Sequence, residues 1–289
     1  MLLAGAVSVK RRAILLALPA LLVAPILPRP SAASPGSPGV GAGSAPPLAR
    51  EFAQEVRPLL HPPPEAVAAS AAALAGSLAS ASVQLDVDQF IVLVDRSPKV
   101  QALLVFWGSS GRGWAFVGAA PVSTGLPGRF EHFRTPLGVF DHSATNPDYR
   151  AEGTKNEIGI RGYGLKGSRV YDFGWVRAPK GWGDGATSVL RLQMHSTDPD
   201  LLEVRLGTAQ SKGCVRIPAT LNEFFDRRGL LDADYQEEIA NGASPWVLRT
   251  HRELTDWPGR YLVVVDSAAA VRPAWAAVRP PSPAPRPRH

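Results

Sequence analysis

The chain contains a single cysteine, Cys214, within the segment Ser211-Lys212-Gly213-Cys214-Val215-Arg216-Ile217. The thiolate, not the thiol, is the nucleophile, and an ordinary cysteine with a pKa of about 8.5 is mostly protonated at neutral pH. Acyl transfer by Cys214 therefore requires a neighbouring base or cation. A lone cysteine is commonly a buried small hydrophobe, but the polar, basic and glycine-containing flanks here are unlike a core strand. The flanks favour a nucleophile.

His195 is the candidate base. It ends an apolar run that contains Val189, Leu190, Leu192 and Met194, and functional residues commonly lie where such elements end. Fifteen residues separate His195 from Ser211, so a loop that folds back can bring the imidazole to the thiol. The other histidines are scattered without metal-ligand spacing, so we predict no metal and no cofactor: His61, His132, His142, His251 and His289.

The residue before the cysteine, Gly213, permits close approach of the backbone to a substrate carbonyl. The amides of Gly213 and Cys214 are predicted to bind the oxyanion that forms during acyl transfer. Donors of this kind are typically worth about 3 kcal/mol each in the transition state.

A histidine followed by a Ser-x-Gly-Cys-apolar-Arg motif resembles the catalytic signature of the L,D-transpeptidase (YkuD-like) family. Two upstream motifs also resemble the family's and occur in the same order: Val122-Ser123-Thr124-Gly125 and Thr135-Pro136-Leu137-Gly138-Val139-Phe140. The resemblance covers roughly residues 86–266. One departure is Lys212, where many members carry histidine. The segment Ile158-Gly159-Ile160-Arg161-Gly162 resembles the stretch before the family's histidine but offers Arg161, so His195 remains the predicted base.

The resemblance implies roles for the residues around the pair. His195 would be the general base, oriented by the backbone of Ser196. Ser211 would hydrogen-bond within the site. Arg216 would either brace the cysteine loop or pair with a substrate carboxylate, which its planar fork suits. The charge of Lys212 would favour thiolate or attract an acidic peptide stem.

The resemblance also implies the reaction. Cys214 would attack the carbonyl between the third residue of a peptidoglycan tetrapeptide stem and its terminal D-alanine. D-Alanine leaves, and an amine on a neighbouring stem or on an outer-membrane protein takes the acyl group. If water takes it, the enzyme is an L,D-carboxypeptidase. Carbapenem-type β-lactams are expected to acylate the same thiol.

Three other interpretations compete. A sortase-like transpeptidase also uses histidine, cysteine and arginine, but its histidine and cysteine lie much farther apart in sequence. Papain-like proteases place cysteine before histidine and are disfavoured. An inactive envelope protein that only binds peptidoglycan is compatible with the sequence.

The sequence pattern of the main part of the chain is typical of a β protein. Beyond Val83, apolar, β-branched and aromatic runs alternate with turns, which is typical of strands. The predicted strands are Gln89 to Val94, Val100 to Trp107, Trp114 to Val122, Ser188 to His195, Trp246 to Arg249 and Tyr261 to Asp266. One late helix, Thr220 to Arg228, should stop at Gly229. We predict a mainly β fold with a few helices, a sandwich or barrel-like catalytic domain over residues 83–266.

The segment from His142 to about Thr187 shows no clear periodicity and is predicted to be an insertion or lid, since long loops in compact domains are usually functional or disordered. Its aromatic residues either line a cleft over a sugar-peptide substrate or fold back over the base of the loop. These residues are Tyr163, Tyr171, Trp175 and Trp182.

The ends of the chain indicate export. A basic start, a proline-interrupted apolar run and the small residues Ser31, Ala32 and Ala33 predict a signal peptide over residues 1–33, with no membrane span after processing. The route stays open, because Arg11 and Arg12 only poorly match a twin-arginine signal. Residues 34–49 are predicted to be a disordered linker, 50–82 a short helical segment and 267–289 a disordered tail. We expect a periplasmic or cell-envelope location.

The formal net charge of +6 is not a nucleic-acid signature. Eight of the 31 basic residues lie in the signal peptide and tail, which leaves the body nearly neutral. A neutral body lacks the electrostatic footprint that binds a phosphate backbone. We therefore expect peptidoglycan peptide stems as partners and no nucleic acid.

Overall fold

The computed structural model describes residues 46–277. The helices are α1 (Ala49–Glu55), α2 (Pro64–Ser80), α3 (Ala219–Arg228) and α4 (Ala233–Ala240), with a 3-10 turn at Glu203–Arg205. The strands are β1 (Gln89–Asp95), β2 (Ala102–Ser109), β3 (Gly113–Pro121), β4 (Gly138–Asp141), β5 (Tyr149–Arg150), β6 (Arg169–Pro179), β7 (Thr187–Ser196), β8 (Val215–Ile217) and β9 (Tyr261–Val265).

The strands form two mixed sheets. The first has the order β3-β2-β1-β9-β4, with β1 and β9 parallel, and the second has the order β5-β6-β7-β8, with β7 and β8 parallel. The chain that leaves β3 joins them, since Ser123 and Gly125 form isolated bridges with Arg216 and Ser211. The prediction of a mainly β fold with a few helices is confirmed.

The centre of the first sheet is buried on both faces. On one face, Leu74 and Leu78 of α2 pack against Ile91, Leu93 and Leu104 in one hydrophobic cluster. All of these side chains are at most 2% exposed. Successive side chains of β1 point to opposite faces of the sheet, and both faces are buried. The sequence of β1 is therefore a continuous apolar run rather than an alternating one.

Five of the six predicted strands correspond to β1, β2, β3, β7 and β9, and the predicted helix corresponds to α3. Gly229 caps α3 in the left-handed conformation, with φ 63°. The strand predicted at Trp246 to Arg249 is wrong. That segment is a turn, closed by a hydrogen bond from the Leu248 amide to the Pro245 carbonyl at 3.1 Å.

The segment from residue 142 to residue 187 is not the irregular insertion that the sequence predicts. It contains β5 and the eleven residues of β6, which pair with β7. A shift of register between Asp172 and Trp175 interrupts the pairing. Gly174 lies in this bulge with φ 76°. The bulge breaks the period-two pattern by which strands are recognised in sequence.

A buried charge network fastens this segment to the body. Arg169, on β6, is fully buried and donates from Nε to Asp148 at 2.6 Å and from Nη1 to Asp232 at 3.0 Å. His142 contacts Asp148 at 2.8 Å through Nε2 and the Leu231 carbonyl at 2.6 Å through Nδ1. Burial lowers the pKa of His142, but the Asp148 carboxylate more than offsets it, so the pKa is raised. This buried charge network therefore fixes β5 and β6 to the body of the protein.

The predicted helical segment before the sheets packs into the body. Phe52 of α1 is 1% exposed and meets Phe224 of α3 edge to face, with ring centroids 5.4 Å apart. A Cβ on Gly118 would lie 2.2 Å from the Phe52 ring, so β3 needs a glycine here. Glu55 pairs with Arg228 at 2.9 Å. Helix α1 therefore connects the first sheet to α3.

The predicted tail is partly ordered, which corrects the prediction for residues 267–277. Arg272 donates to the carbonyls of Ala277 at 2.8 Å, Gly207 at 3.1 Å and Pro98 at 3.1 Å. Trp275 packs against the core cluster. Residues 278–289 lie outside the described part of the chain, as do the predicted signal peptide and residues 34–45 of the predicted linker. Between residues 46 and 277, no helix is both long and apolar enough to cross a membrane.

We predict that Phe52→Ala lowers the free energy of unfolding by about 3–5 kcal/mol, the usual loss for a truncated buried aromatic side chain. Gln54→Ala, at an exposed position on the same helix, is the matched control and should change stability little. Urea denaturation followed by circular dichroism measures both variants. Equal stabilities of the two variants would show that α1 does not belong to the core.

Candidate active site

Parallel pairing of β7 with β8 sets the geometry of the site. Met194 pairs with Val215 and His195 pairs with Arg216. Met194 and Val215 are fully buried, each 0% exposed. Because side chains alternate between the faces of a sheet, His195 and Arg216 share the opposite face. Cys214, one residue before Val215, continues the alternation onto that same face.

The cysteine loop is closed on itself by Ser211. The Ser211 hydroxyl accepts from the Gly213 amide at 3.0 Å and donates to the Cys214 carbonyl at 2.6 Å. Gly213 has φ 131°, and a Cβ there would lie 2.8 Å from Leu190 and 3.1 Å from Phe133. Glycine is therefore required for this turn. The amide of Gly213 is committed to Ser211, which differs from its predicted role as an oxyanion donor.

Both upstream motifs singled out in the sequence hold this loop. Ser123 and Arg216 exchange two backbone hydrogen bonds, each 2.9 Å long. The Thr135 hydroxyl accepts from the Gly125 amide at 2.9 Å and donates to the Gly213 carbonyl at 2.7 Å. The motifs act as a frame that fixes the backbone on either side of the cysteine.

His195 is buried and oriented by its neighbour. Its Nδ1 lies 2.7 Å from the Ser196 carbonyl oxygen. A carbonyl only accepts, so Nδ1 carries the hydrogen and Nε2 is the unprotonated nitrogen of the neutral ring. The Tyr163 ring covers the imidazole, with centroids 4.6 Å apart. Burial, together with the positive charge of Arg216, lowers the pKa of His195 to about 4, although the hydrogen bond that Nδ1 donates to the Ser196 carbonyl raises it.

The Cys214 thiol is half-buried and unbridged. Burial raises the pKa of the thiol above its ordinary value, while a backbone hydrogen bond at Gln193 and the charge of Arg216 lower it. The net pKa is raised. With the His195 pKa lowered, the resting pair is a neutral thiol and a neutral imidazole. The resting pair is therefore not a preformed ion pair of thiolate and imidazolium.

The two cations of the motif lie in different environments. Arg216 is partly buried, and its Nε is enclosed without a hydrogen-bond partner. Burial lowers the pKa of Arg216, and the nearby Cys214 raises it. Lys212 is 64% exposed and lies 3.5 Å from the carboxylate of Glu131. The cation that acts on the thiol is therefore Arg216, and Lys212 faces solvent at the rim.

The four aromatic residues of the predicted lid divide between the two predicted roles, which are lining a cleft and covering the base of the loop. Tyr163 lies over His195 and is 40% exposed. Trp182 packs edge to face on Phe133, with centroids 4.8 Å apart, beside the cysteine loop. Tyr171 is fully buried in the core. Trp175 is 67% exposed and lies on the outer part of β6.

The structure adds residues that the sequence analysis missed. Gln193 precedes His195 by two positions and lies on the same face of β7 as the imidazole. Its Oε1 lies 3.4 Å from the hydroxyls of both Tyr149 and Tyr163. Its Nε2 donates to Asp172 at 2.9 Å. The alternation that placed His195 could have identified Gln193, but Tyr149 and Asp172 reach the site only through the unrecognised β5 and β6.

Among the described residues, no group of three or more histidine, cysteine, aspartate or glutamate side chains could hold a metal ion.

Comparisons with known proteins give little further information. No family model and no curated protein matches the chain. One solved structure to which it is similar is the helical cell shape determining protein Pgp2 from Campylobacter jejuni, in a lysine-to-alanine mutant, with 15% identity and a TM-score of 0.27. The similarity covers 63% of this chain and 48% of that chain, so the chain spans about half the length of that protein. At this TM-score the similarity supports no statement about function.

We predict that alkylation of Cys214 by iodoacetamide increases with pH and has its midpoint above the pKa of about 8.5 of an ordinary cysteine, because burial raises the pKa of the Cys214 thiol. Arg216→Met should move the midpoint higher still, since the guanidinium charge lowers the thiol pKa. Rates measured by intact-protein mass spectrometry at a series of pH values test both statements.

Lys99→Met, which removes an exposed cation elsewhere, serves as the control and should leave the midpoint unchanged. A rate that is already constant near neutral pH, as for activated cysteines with a pKa of about 3.5–7.5, would contradict the neutral resting pair.

Proposed function

We propose that the chain is a peptidoglycan L,D-transpeptidase of the cell envelope, with Cys214 as nucleophile and His195 as general base. The observation that carries the proposal is the pairing of His195 with Arg216 across β7 and β8, which places the imidazole, the guanidinium and the adjacent thiol on one face. The residues occur in the order and spacing of the motif that the sequence resembles. Ser196, Ser211 and the frame of upstream motifs support them.

The mechanism begins from the neutral pair. As the Cys214 sulfur attacks the carbonyl carbon of the stem peptide, His195 Nε2 takes the thiol proton and the carbonyl π electrons move to oxygen. The tetrahedral intermediate collapses, the C–N bond to D-alanine breaks, and the imidazolium returns its proton to the leaving amine. A thioester remains on Cys214. An acceptor amine then attacks the thioester while His195 Nε2 takes the amine proton. The C–S bond breaks, and the imidazolium returns the proton to the Cys214 sulfur.

Arg216 is the group that we assign to a substrate carboxylate. Its backbone braces the loop through Ser123, which leaves the guanidinium side chain for recognition. A partly buried guanidinium whose Nε is enclosed without a partner is costly unless an anion compensates it. The carboxylate of the departing D-residue supplies such an anion, in a geometry that two N–H groups of one arginine can hold.

Lys212 acts at the rim in this proposal. Its exposed ammonium group, shared with Glu131, attracts the acidic part of a peptide stem through long-range electrostatics. This contribution is modest, because exposed ion pairs are worth about 0–1 kcal/mol. Favouring the thiolate is left to Arg216.

A carbapenem-type β-lactam should form a covalent adduct with the protein, detected as a mass increase by intact-protein mass spectrometry. Cys214→Ala should abolish the adduct, and His195→Ala should slow its formation by about 100-fold or more, the usual contribution of a general base. His61→Ala, at an exposed histidine, should label at the wild-type rate.

The outcomes also separate the competing functions. An inactive peptidoglycan-binding protein would give no adduct with any variant. Full labelling of His195→Ala would remove His195 as the base. The acyl acceptor distinguishes the remaining alternatives, since purified tetrapeptide muropeptides are cross-linked by a transpeptidase and shortened to tripeptides by a carboxypeptidase. A sortase-like enzyme would leave muropeptides intact.

A further inference from the structure

The oxyanion of the proposed reaction lacks one of its two expected donors. The Gly213 amide donates to the Ser211 hydroxyl at 3.0 Å and is not directed to a substrate. An oxygen that becomes negatively charged in a half-buried site needs hydrogen-bond donors that are already in place. Another donor on this face of the sheet must therefore replace the Gly213 amide.

Two tyrosine hydroxyls are available there. The hydroxyls of Tyr149, from β5, and Tyr163, from the loop before β6, each lie 3.4 Å from the same oxygen, Oε1 of Gln193. At 3.4 Å each is longer than a normal O–H···O hydrogen bond, so each is held weakly. A weakly held hydroxyl can turn to a better acceptor at little cost.

Several contacts place these two tyrosines beside the reacting groups. The register of β7 and β8, in which Met194 pairs with Val215, puts Gln193 beside Cys214. The Tyr163 ring lies 4.6 Å from the His195 ring, and the Tyr149 ring lies 5.8 Å from the Tyr163 ring. The pair therefore borders the thiol and the base.

Gln193 has a fixed orientation. Its Nε2 donates to Asp172 at 2.9 Å, so Oε1 is the atom that faces the tyrosines. Asp172 is fully buried and is held in turn by Arg191 Nε at 2.7 Å. An amide locked in this way presents only an acceptor to the two phenols. Both hydroxyls are therefore donors toward Gln193 Oε1.

We propose that Tyr149 and Tyr163, whose hydroxyls converge on Gln193 beside Cys214, are the donors that bind the carbonyl oxygen of the acyl group and stabilise its oxyanion. Gln193 is a positioning residue that holds the donors ready. The inference rests on the proposed acyl transfer at Cys214. It deepens that function by naming the groups that recognise the reacting carbonyl.

The step is the attack itself. The sulfur–carbon bond forms, the thiol proton passes to His195 Nε2, and the carbonyl π electrons become the oxyanion. The tyrosine hydroxyls turn from Gln193 to this oxygen and donate hydrogen bonds without transferring their protons. Burial and the neighbouring Tyr163 side chain raise the pKa of Tyr149, so its hydroxyl stays a donor at neutral pH. When the leaving group departs, the carbonyl re-forms and the hydroxyls return to Gln193.

Two reagents that react with the same sulfur separate this role from any effect on the thiol. Acetylation of Cys214 by p-nitrophenyl acetate passes through a tetrahedral oxyanion, whereas alkylation by iodoacetamide does not. Both second-order rate constants are measured by intact-protein mass spectrometry for wild type, Tyr149→Phe, Tyr163→Phe and the double variant. Tyr261→Phe, on β9 in the other sheet, is the matched control.

Loss of one oxyanion donor typically lowers kcat by about 100-fold to 1,000-fold, and because two hydroxyls share the oxygen here we expect each single variant to lose at least about tenfold in acetylation. The double variant should lose more. Alkylation should stay within about twofold of wild type in every variant, since only a hydroxyl is removed and no oxyanion forms. Tyr261→Phe should match wild type with both reagents.

Three results would overturn the inference: acetylation at the wild-type rate in the double variant, an equal fall in acetylation and alkylation, or a wild-type thiol that is alkylated but not acetylated. A thiol that reacts with neither reagent would overturn the inference and the proposed function together. Selective loss of acetylation in a protein that leaves β-lactams and muropeptides untouched would sustain the donor pair and reject the transpeptidase.

Discussion

The short parallel pairing between β7 and β8 is the constraint on which the rest of the site depends. Three pairs of residues define it, from Met194 and Val215 to Ser196 and Ile217. Because one face of both strands is sealed in the core, the other face must carry His195, Cys214 and Arg216 together. A slip of one residue in β8 would turn the thiol into the core and an apolar side chain toward the imidazole.

Burial at this face fixes how the thiol is activated. Removing charge from water is costly, and no carboxylate orients the imidazole, whose Nδ1 is bound by the neutral Ser196 carbonyl. An ion pair of thiolate and imidazolium is therefore disfavoured at rest, and Arg216 opposes a second cation at His195 while it favours an anion at Cys214. In the proposed mechanism the proton stays on the Cys214 sulfur at rest and passes to His195 Nε2 when the substrate is attacked.

Local signals predicted the parts of the molecule that follow local rules. Three local features were recognisable from the sequence alone: the apolar runs of β1, β2 and β9, the glycine that ends α3, and the cysteine motif. β6 was missed because the bulge at Gly174 breaks its alternation, and Arg169 and Asp148 make a buried segment look polar. The order of residues 267–277 depends on Arg272 reaching distant carbonyls, and the commitment of the Gly213 amide depends on how Ser211 turns. Neither is encoded in composition or spacing.

The most direct test of the account follows a single stem peptide on the enzyme. Purified disaccharide tetrapeptide is mixed with wild type and with Cys214→Ala, quenched at short times, and examined by intact-protein mass spectrometry together with assay of free D-alanine. The account predicts an acyl adduct on the wild-type protein that carries the stem without its terminal residue, one D-alanine released per adduct, and neither signal from Cys214→Ala. D-Alanine release that persists in Cys214→Ala, or a tetrapeptide that stays intact with wild type, would contradict it.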